Sequence, residues 1–164
     1  MRRPTRFFML TATALAMALA ATAPTRAAPG QKGDATVEFI GVYATKEAKP
    51  HCDPALLKIR KFLEGTGYNS FIAISQTSSA LAVGKNATSG RLKDTYELKV
   101  GLNEVSDKTV KVTVTWVLYE KDKEGKETAN PLQNYVQTMA KGKFQPFIGP
   151  LGKTGAVIVF FALR

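Results

Sequence analysis

The triplet His51-Cys52-Asp53 is the part of the sequence best suited to thiol chemistry. It holds the one Cys and the one His of the chain. Thiols beside the start of a helix ionise more readily, which favours nucleophilic or redox chemistry. Adjacent residues point in different directions, however, and nucleophilic catalysis needs an arranged base and an oxyanion pocket. We therefore expect a turn and helix cap in which Cys52 is a small buried group, and a thiol role for Cys52 and His51 stays open as the alternative.

Other catalytic chemistries need residue sets that the sequence lacks. A single His-Cys-Asp run cannot surround a tetrahedral metal ion, and no second cluster of ligand-type residues is present. Gly152-Lys153-Thr154 is similar to the end of a phosphate-binding loop, but Phe147 stands where that motif requires glycine. Carboxylates are scattered, and no pair is placed as a general acid and base. We predict no catalytic residue, no cofactor and no metal, and thus a protein that is not an enzyme.

The first 28 residues have the pattern of a secretory signal peptide. Three arginines precede an apolar stretch over residues 7–20, and small residues follow over residues 21–28. The apolar stretch is shorter than the about 20 residues of an ordinary membrane span. We therefore predict an exported protein, periplasmic or extracellular after cleavage, with no transmembrane span left. Cleavage could follow any of three small residues: Ala20, Ala23 or Ala28.

The charge that remains after residue 28 is moderately positive, with 19 Lys and Arg against 13 Asp and Glu. That balance of +6 suits anionic partners, or simply keeps a small domain soluble. Lys58, Arg60 and Lys61 are candidates for contact with an anionic surface, although such a run is commonly a solvated helix face. The basic residues are spread out, without an aromatic-basic cluster, which argues against nucleic-acid binding. The predicted partner is another envelope protein or an anionic envelope polymer, and the oligomeric state stays open.

One helix is predicted to follow the triplet. Asp53 can cap the free amides, Pro54 suits the first helical position, and Gly65 suits the end. Apolar residues then recur at helical spacing and form one stripe: Ala55, Leu56, Ile59, Phe62 and Leu63. We expect this stripe to pack across a sheet.

The rest of the chain alternates between apolar strand-like segments and polar connections. Residues 29–34 are predicted as a flexible leader, and residues 77–79, a Ser/Thr cluster, as a turn. Residues 95–102 and 110–118 give the clearest hairpin. The predicted fold is mainly β (α+β), an antiparallel sheet or sandwich of about eight strands with one helix packed on it. A single β-rich domain would span residues 35–164, with strands from residue 35 and over 71–75, 80–83, 95–102, 110–118, 132–139, 144–148 and 156–163.

The region after the leader resembles a group of small exported bacterial proteins of unassigned function. The resemblance rests on three short motifs: Asp53-Pro54-Ala55-Leu56, Tyr68-Asn69-Ser70-Phe71 and Gly149-Pro150-Leu151-Gly152. It implies no activity and no functional residue. The expected function is therefore binding or scaffolding of another envelope component without catalysis. The alternative is a redox role, or a dimer linked by a disulfide, through Cys52.

Overall fold

The computed structural model describes residues 34–164, so the predicted signal peptide and residues 29–33 of the leader lie outside the described residues. A 3₁₀ helix at Pro54–Ile59 continues into a short α-helix, α1, at Arg60–Leu63. The strands are β1 Ala35–Thr45, β2 His51–Cys52, β3 Ser70–Leu81, β4 Asn86–Thr88, β5 Tyr96–Val105, β6 Thr109–Lys121, β7 Glu127–Ala140, β8 Gln145–Leu151 and β9 Gly155–Leu163.

The strands form two sheets. One has five strands in the order β2-β3-β1-β9-β8, and the other has four in the order β4-β5-β6-β7. Every neighbouring pair is antiparallel except β2 and β3, which run parallel. The prediction of a mainly β, largely antiparallel protein with one short helix is confirmed.

The main core lies between the two sheets. Alternating residues of β5 and β6 point into it, and the predicted hairpin of these two strands is confirmed. They meet Val157, Val159 and Phe161 of β9, which belong to the same buried cluster. Every second residue of a strand lies on the same face. The apolar residues at every second position of β5 and β6 therefore form one side of this core.

A second core lies on the outer face of the five-stranded sheet, beneath the helix. Leu56, Ile59 and Leu63 are fully buried there, against residues such as Val42 of β1 and Phe160 of β9. All nine residues of β9 are buried, because this strand is covered on one face by the other sheet and on the other by the helix. The unbroken apolar strand predicted at residues 156–163 is confirmed.

The helix differs from the prediction in type and in its buried face. Asp53 does cap it, and its carboxylate accepts a hydrogen bond from the Ala55 amide at 2.9 Å. The first turns are 3₁₀, in which residues three apart lie on one line, and this geometry buries both Leu56 and Ile59. Ala55 is exposed, so its assignment to the stripe was wrong. Phe62 is 45% exposed, but its ring still packs on the sheet, 6.0 Å from that of Phe160.

Several strand boundaries differ from the predicted ones. The Ser/Thr cluster at residues 77–79, predicted as a turn, lies inside β3 and pairs with β1. β7 begins at Glu127 rather than at residue 132, and Pro131 sits where the β6–β7 register shifts. β8 runs to Leu151 rather than to residue 148, and it lies at a sheet edge, where proline is tolerated. β2 and β4 are short strands within segments predicted as connections.

Candidate functional site

A cleft of about 480 Å³ opens between β2 and α1, and we call it the β2 cleft. Its floor is apolar and its rim is polar, the combination found in many ligand sites. It lies at the end of the five-stranded sheet where β3 begins. The lining residues are Pro50, His51, Cys52, Arg60, Leu63, Glu64, Tyr68, Asn69 and Phe71.

The structure places both predicted thiol-site residues at the β2 cleft. His51 is exposed and Cys52 is half-buried; the Cys52 thiol lies 3.8 Å from the backbone oxygen of Asp53. The two residues are consecutive in a strand, where successive side chains point to opposite faces. Within residues 34–164, no group of three or more His, Cys, Asp and Glu side chains is placed to hold a metal ion. Both His51 and Cys52 therefore line the β2 cleft, but they are not paired as nucleophile and base.

The three predicted cationic residues have different surroundings. Lys58 forms an ion pair with Glu38 of β1, and Arg60 pairs with Glu64 four residues on, at 2.9 Å. Within the described part of the chain, Lys61 makes no ion pair. Two of the three cations are therefore partly neutralised by carboxylates of the same protein.

Glu38 is the centre of a charged cluster that the sequence did not indicate. It is only 8% exposed. Its carboxylate accepts from Lys58, from Arg164 at 3.1 Å and from the Gln76 amide at 3.4 Å. We call Glu38, Lys58 and Arg164 the Glu38 cluster. Buried carboxylates are retained where cations and hydrogen bonds compensate for lost hydration, and these partners come from distant parts of the chain.

One long side of β3 is open, next to the Glu38 cluster. β2 covers the first two residues of β3, at Ser70 and Phe71. From Ile72 to Leu81, β3 pairs only with β1 among residues 34–164. We call the uncovered side of residues 72–81 the β3 edge. Residues 76–80 are all exposed, so this side of the strand faces solvent.

Backbone hydrogen bonds indicate which groups of β3 point to the open side. Thr36 exchanges two backbone hydrogen bonds with Arg164, each 2.9 Å, so its N–H and C=O point away from β3. Because these groups alternate along a strand, those of Val37 point toward Ser79, its partner in β3. The alternate residues of β3 therefore turn N–H and C=O to the open side: Gln76, Ser78 and Ala80.

The β3 edge differs from the other sheet edges in composition. β3 contains no proline and no charged residue over its whole length. β8, at the other edge of the same sheet, contains Pro146 and Pro150. In the four-stranded sheet, β7 contains Pro131, and β4 has only three residues. Proline, charge and short length are the usual devices that prevent strand addition, and β3 has none of them.

A polar network crosses the solvent face of the four-stranded sheet. Thr88 and Tyr119 donate hydrogen bonds to the Glu97 carboxylate. Burial raises the pKa of Glu97, but these hydrogen bonds outweigh it and the net effect is a lowered pKa. Arg91 stacks on the Tyr119 ring at 3.7 Å and binds Glu127 with two hydrogen bonds, which lower the pKa of Glu127. The network is internally satisfied and ties neighbouring strands together.

Comparison of the chain with known proteins found no similar protein. No protein-family model matches the chain, and neither a curated protein nor a solved structure matches it. Within residues 34–164, no helix has the length and apolar composition needed to cross a membrane.

Proposed function

We propose that this is an exported, non-catalytic binding or scaffolding protein that acts in the periplasm or at the cell surface on another envelope protein. The observation that supports this proposal is the β3 edge. It combines open backbone groups at Gln76, Ser78 and Ala80 with a strand that lacks proline and charge. Such edges accept an extended segment of a partner by main-chain hydrogen bonding.

A non-catalytic role fits the chemistry of the described residues. His51 and Cys52 both line the β2 cleft, but their side chains leave opposite faces of β2. The best-organised polar groups, Glu97 with Thr88 and Tyr119, bond to one another on an open sheet face. Catalytic groups usually lie in a concave, water-excluding site. The surfaces that remain available are suited to contact with another molecule.

Site-specific photo-crosslinking in intact cells tests the proposal. A photoreactive residue at Ser78 would sit on the β3 edge, and one at Ile148 would sit on the opposite edge strand, where the side chain is 49% exposed. We expect a protein adduct from position 78 and none from position 148. Equal adducts from both positions, or none from either, would overturn the proposal. Signal-peptide removal is checked by sequencing the amino terminus of the cell-derived protein.

A thiol role through Cys52 is the second candidate. The observation in its favour is that half-buried Cys52 lines the β2 cleft, beside exposed His51. A redox or disulfide-linked role predicts a dimer on a non-reducing gel, or rapid labelling of the thiol by iodoacetamide. Both signals should disappear in Cys52→Ser. A variant that keeps partner binding and full in-cell function would remove this candidate.

A further inference from the structure

The open groups of the β3 edge alternate with groups that are already bonded. Gln76, Ser78 and Ala80 present N–H and C=O outward, while Thr77 and Ser79 pair with β1. This alternation is the hydrogen-bonding pattern of an edge strand with one unpaired side. β2 already pairs with Ser70 and Phe71 on the same side of β3. This side of β3 can therefore form backbone hydrogen bonds with another strand. An occupant in extended conformation would continue the sheet.

The Glu38 cluster gives the edge an electrostatic preference. Ser78 lies directly opposite Glu38 in register, and Gln76 bonds the same carboxylate. The side chains of two cations share that one side-chain carboxylate, so the side chains of the cluster carry more positive than negative charge. The side chain of Lys58 is 37% exposed and that of Arg164 is 63% exposed, so both remain reachable. An acidic side chain on the helix-facing side of an added strand would approach Lys58 first, since Arg164 follows β9 on the far side of β1.

We infer that the occupant of the β3 edge is an extended segment of the partner protein that is uncharged except for one acidic side chain, which lies beside the Glu38 cluster. The inference rests on the proposed function and adds the chemistry of the partner. Complementary charge of this kind fixes register and orientation more than affinity. The described residues as a whole carry 18 Lys and Arg against 13 Asp and Glu, which also favours an acidic segment.

A second copy of this chain fits the edge less well. Antiparallel pairing of β3 with itself would place two Glu38 clusters on the same side of the joined sheet. The side chains of each cluster carry more positive than negative charge, because Lys58 and Arg164 share Glu38. Like charges brought together across an interface oppose association. Self-pairing is therefore an outcome for the test to detect rather than the inferred state.

Three synthetic peptides test the charge preference with the purified protein. Each has alternating Thr and Val, blocked ends and a fluorescent label, and they differ only at the central residue, which is Glu, Gln or Lys. We expect fluorescence anisotropy to rank the affinities Glu, then Gln, then Lys. Exposed ion pairs contribute up to about 1 kcal/mol, so Glu should bind about two- to fivefold more tightly than Gln. Sodium chloride should reduce that ratio.

Two substitutions at Ser78 test strand addition itself. Ser78→Pro removes one outward N–H without touching a bond to β1, and we expect the Glu peptide to bind at least about tenfold more weakly. Ser78→Ala keeps the N–H and should bind within about twofold of the parent protein. Circular dichroism and the thermal midpoint show whether each variant is folded. If Ser78→Pro fails to fold, Ala80→Pro removes the next outward N–H without adding charge and should also weaken binding.

The outcomes separate this inference from the proposed function. If the Lys peptide binds as tightly as the Glu peptide, the acidic occupant is wrong. If no peptide binds, or if Ser78→Pro and Ala80→Pro bind like the parent protein, strand addition is wrong. Sedimentation that shows a dimer lost in Ser78→Pro would replace the inferred occupant with a second copy. In each case a crosslink from Ser78 to another envelope protein would leave the proposed function standing.

Discussion

The two edges of the five-stranded sheet, β3 and β8, are built in opposite ways. β8 carries Pro146 and Pro150, and its side chains reach across to the four-stranded sheet. β3 carries neither proline nor charge, and residues 76–80 are exposed. Both strands have one hydrogen-bonded long neighbour, yet only β8 carries proline, one of the devices that prevent addition of another strand. The difference indicates that the openness of β3 is specific to that edge rather than general to the fold.

Aromatic contacts anchor β8. The Phe147 ring lies 6.0 Å from both Trp116 and Phe161 and 6.4 Å from Tyr135, measured between ring centroids. Aromatic pairs at such separations add to the stabilisation from buried area. The corresponding face of β3 carries Thr77 and Ser79, which are exposed. β8 is thus held by side chains, whereas residues 76–80 of β3, between the buried Phe71 and Leu81, are held mainly by backbone pairing with β1.

Truncation of the β8 anchor should have the largest effect on stability. Phe147 is 5% exposed, and Phe147→Ala removes a buried ring, so we expect a loss of about 3–5 kcal/mol in the free energy of unfolding. The matched change on the β3 edge, Thr77→Ala, should stay within about 0.5 kcal/mol. Urea denaturation measures both. Similar losses would contradict the contrast between the two edges.

A methyl group at Gly149 should have the next largest effect. A Cβ at this position would lie 2.5 Å from the Tyr96 ring, because that ring packs directly on the β8 backbone. Overpacking of this kind costs about 1–3 kcal/mol, which we expect for Gly149→Ala in urea denaturation. Gly65→Ala is the control, since the nearest atom to its Cβ is 3.9 Å away. An unchanged free energy of unfolding in Gly149→Ala would show that β8 can shift away from the Tyr96 ring.

Removal of the Tyr96 hydroxyl should have a smaller effect that depends on pH. This hydroxyl donates to the Pro150 carbonyl at 2.8 Å, and Tyr96→Phe should cost about 0.5–1.5 kcal/mol at neutral pH. Burial, with the charge of Glu120, raises the pKa of Tyr96. The folded state therefore favours the neutral phenol.

The resulting pH dependence has a definite sign. The stabilisation from Tyr96 is complete below the unfolded pKa of about 10 and is lost as pH rises through the raised folded value. Unfolding free energies measured from pH 8 to pH 11 should fall more steeply in the parent protein than in Tyr96→Phe. Parallel curves would mean that the Tyr96 hydroxyl is as accessible in the folded protein as in the unfolded chain.

Amide exchange along β3 should show the smallest but most direct signature of the open edge. We expect fast exchange at Gln76, Ser78 and Ala80, whose N–H groups face solvent, and slow exchange at Thr77 and Ser79, which bond to β1. Hydrogen exchange followed by NMR resolves this alternation. Uniform protection in the isolated protein would mean that something already covers the β3 edge. Added Glu peptide should slow the fast set alone.

Local patterns were sufficient to predict the best-defined elements. The hairpin of β5 and β6 followed from strict alternation, and β9 from an unbroken apolar run, because burial on one or two faces leaves those signatures. Asp53 and Pro54 identified the start of the helix through capping chemistry alone. The 3₁₀ form was not predicted, because Leu56, Ile59 and Leu63 satisfy either helix period in so short a segment.

The remainder depended on contacts between distant residues. The Ser/Thr cluster at residues 77–79 has turn composition, and only pairing with β1 makes it a strand. For the candidate site, the sequence singled out His51, Cys52 and Arg60, which do line one cleft. It did not reveal the β3 edge, since an edge is defined by the absence of a neighbour. It also did not reveal the Glu38 cluster, because Arg164 lies far from Glu38 in the chain.

The position of β9 in the five-stranded sheet has a consequence for how the protein is made. This strand lies between β1 and β8, yet it follows both of them in the sequence. A ribosome releases β1 well before the strand that must lie beside it, and pairing over such a separation is slow. β1 can pair with β3 before then, but β8 joins the sheet only through β9, so the five-stranded sheet is completed only after β9 has emerged.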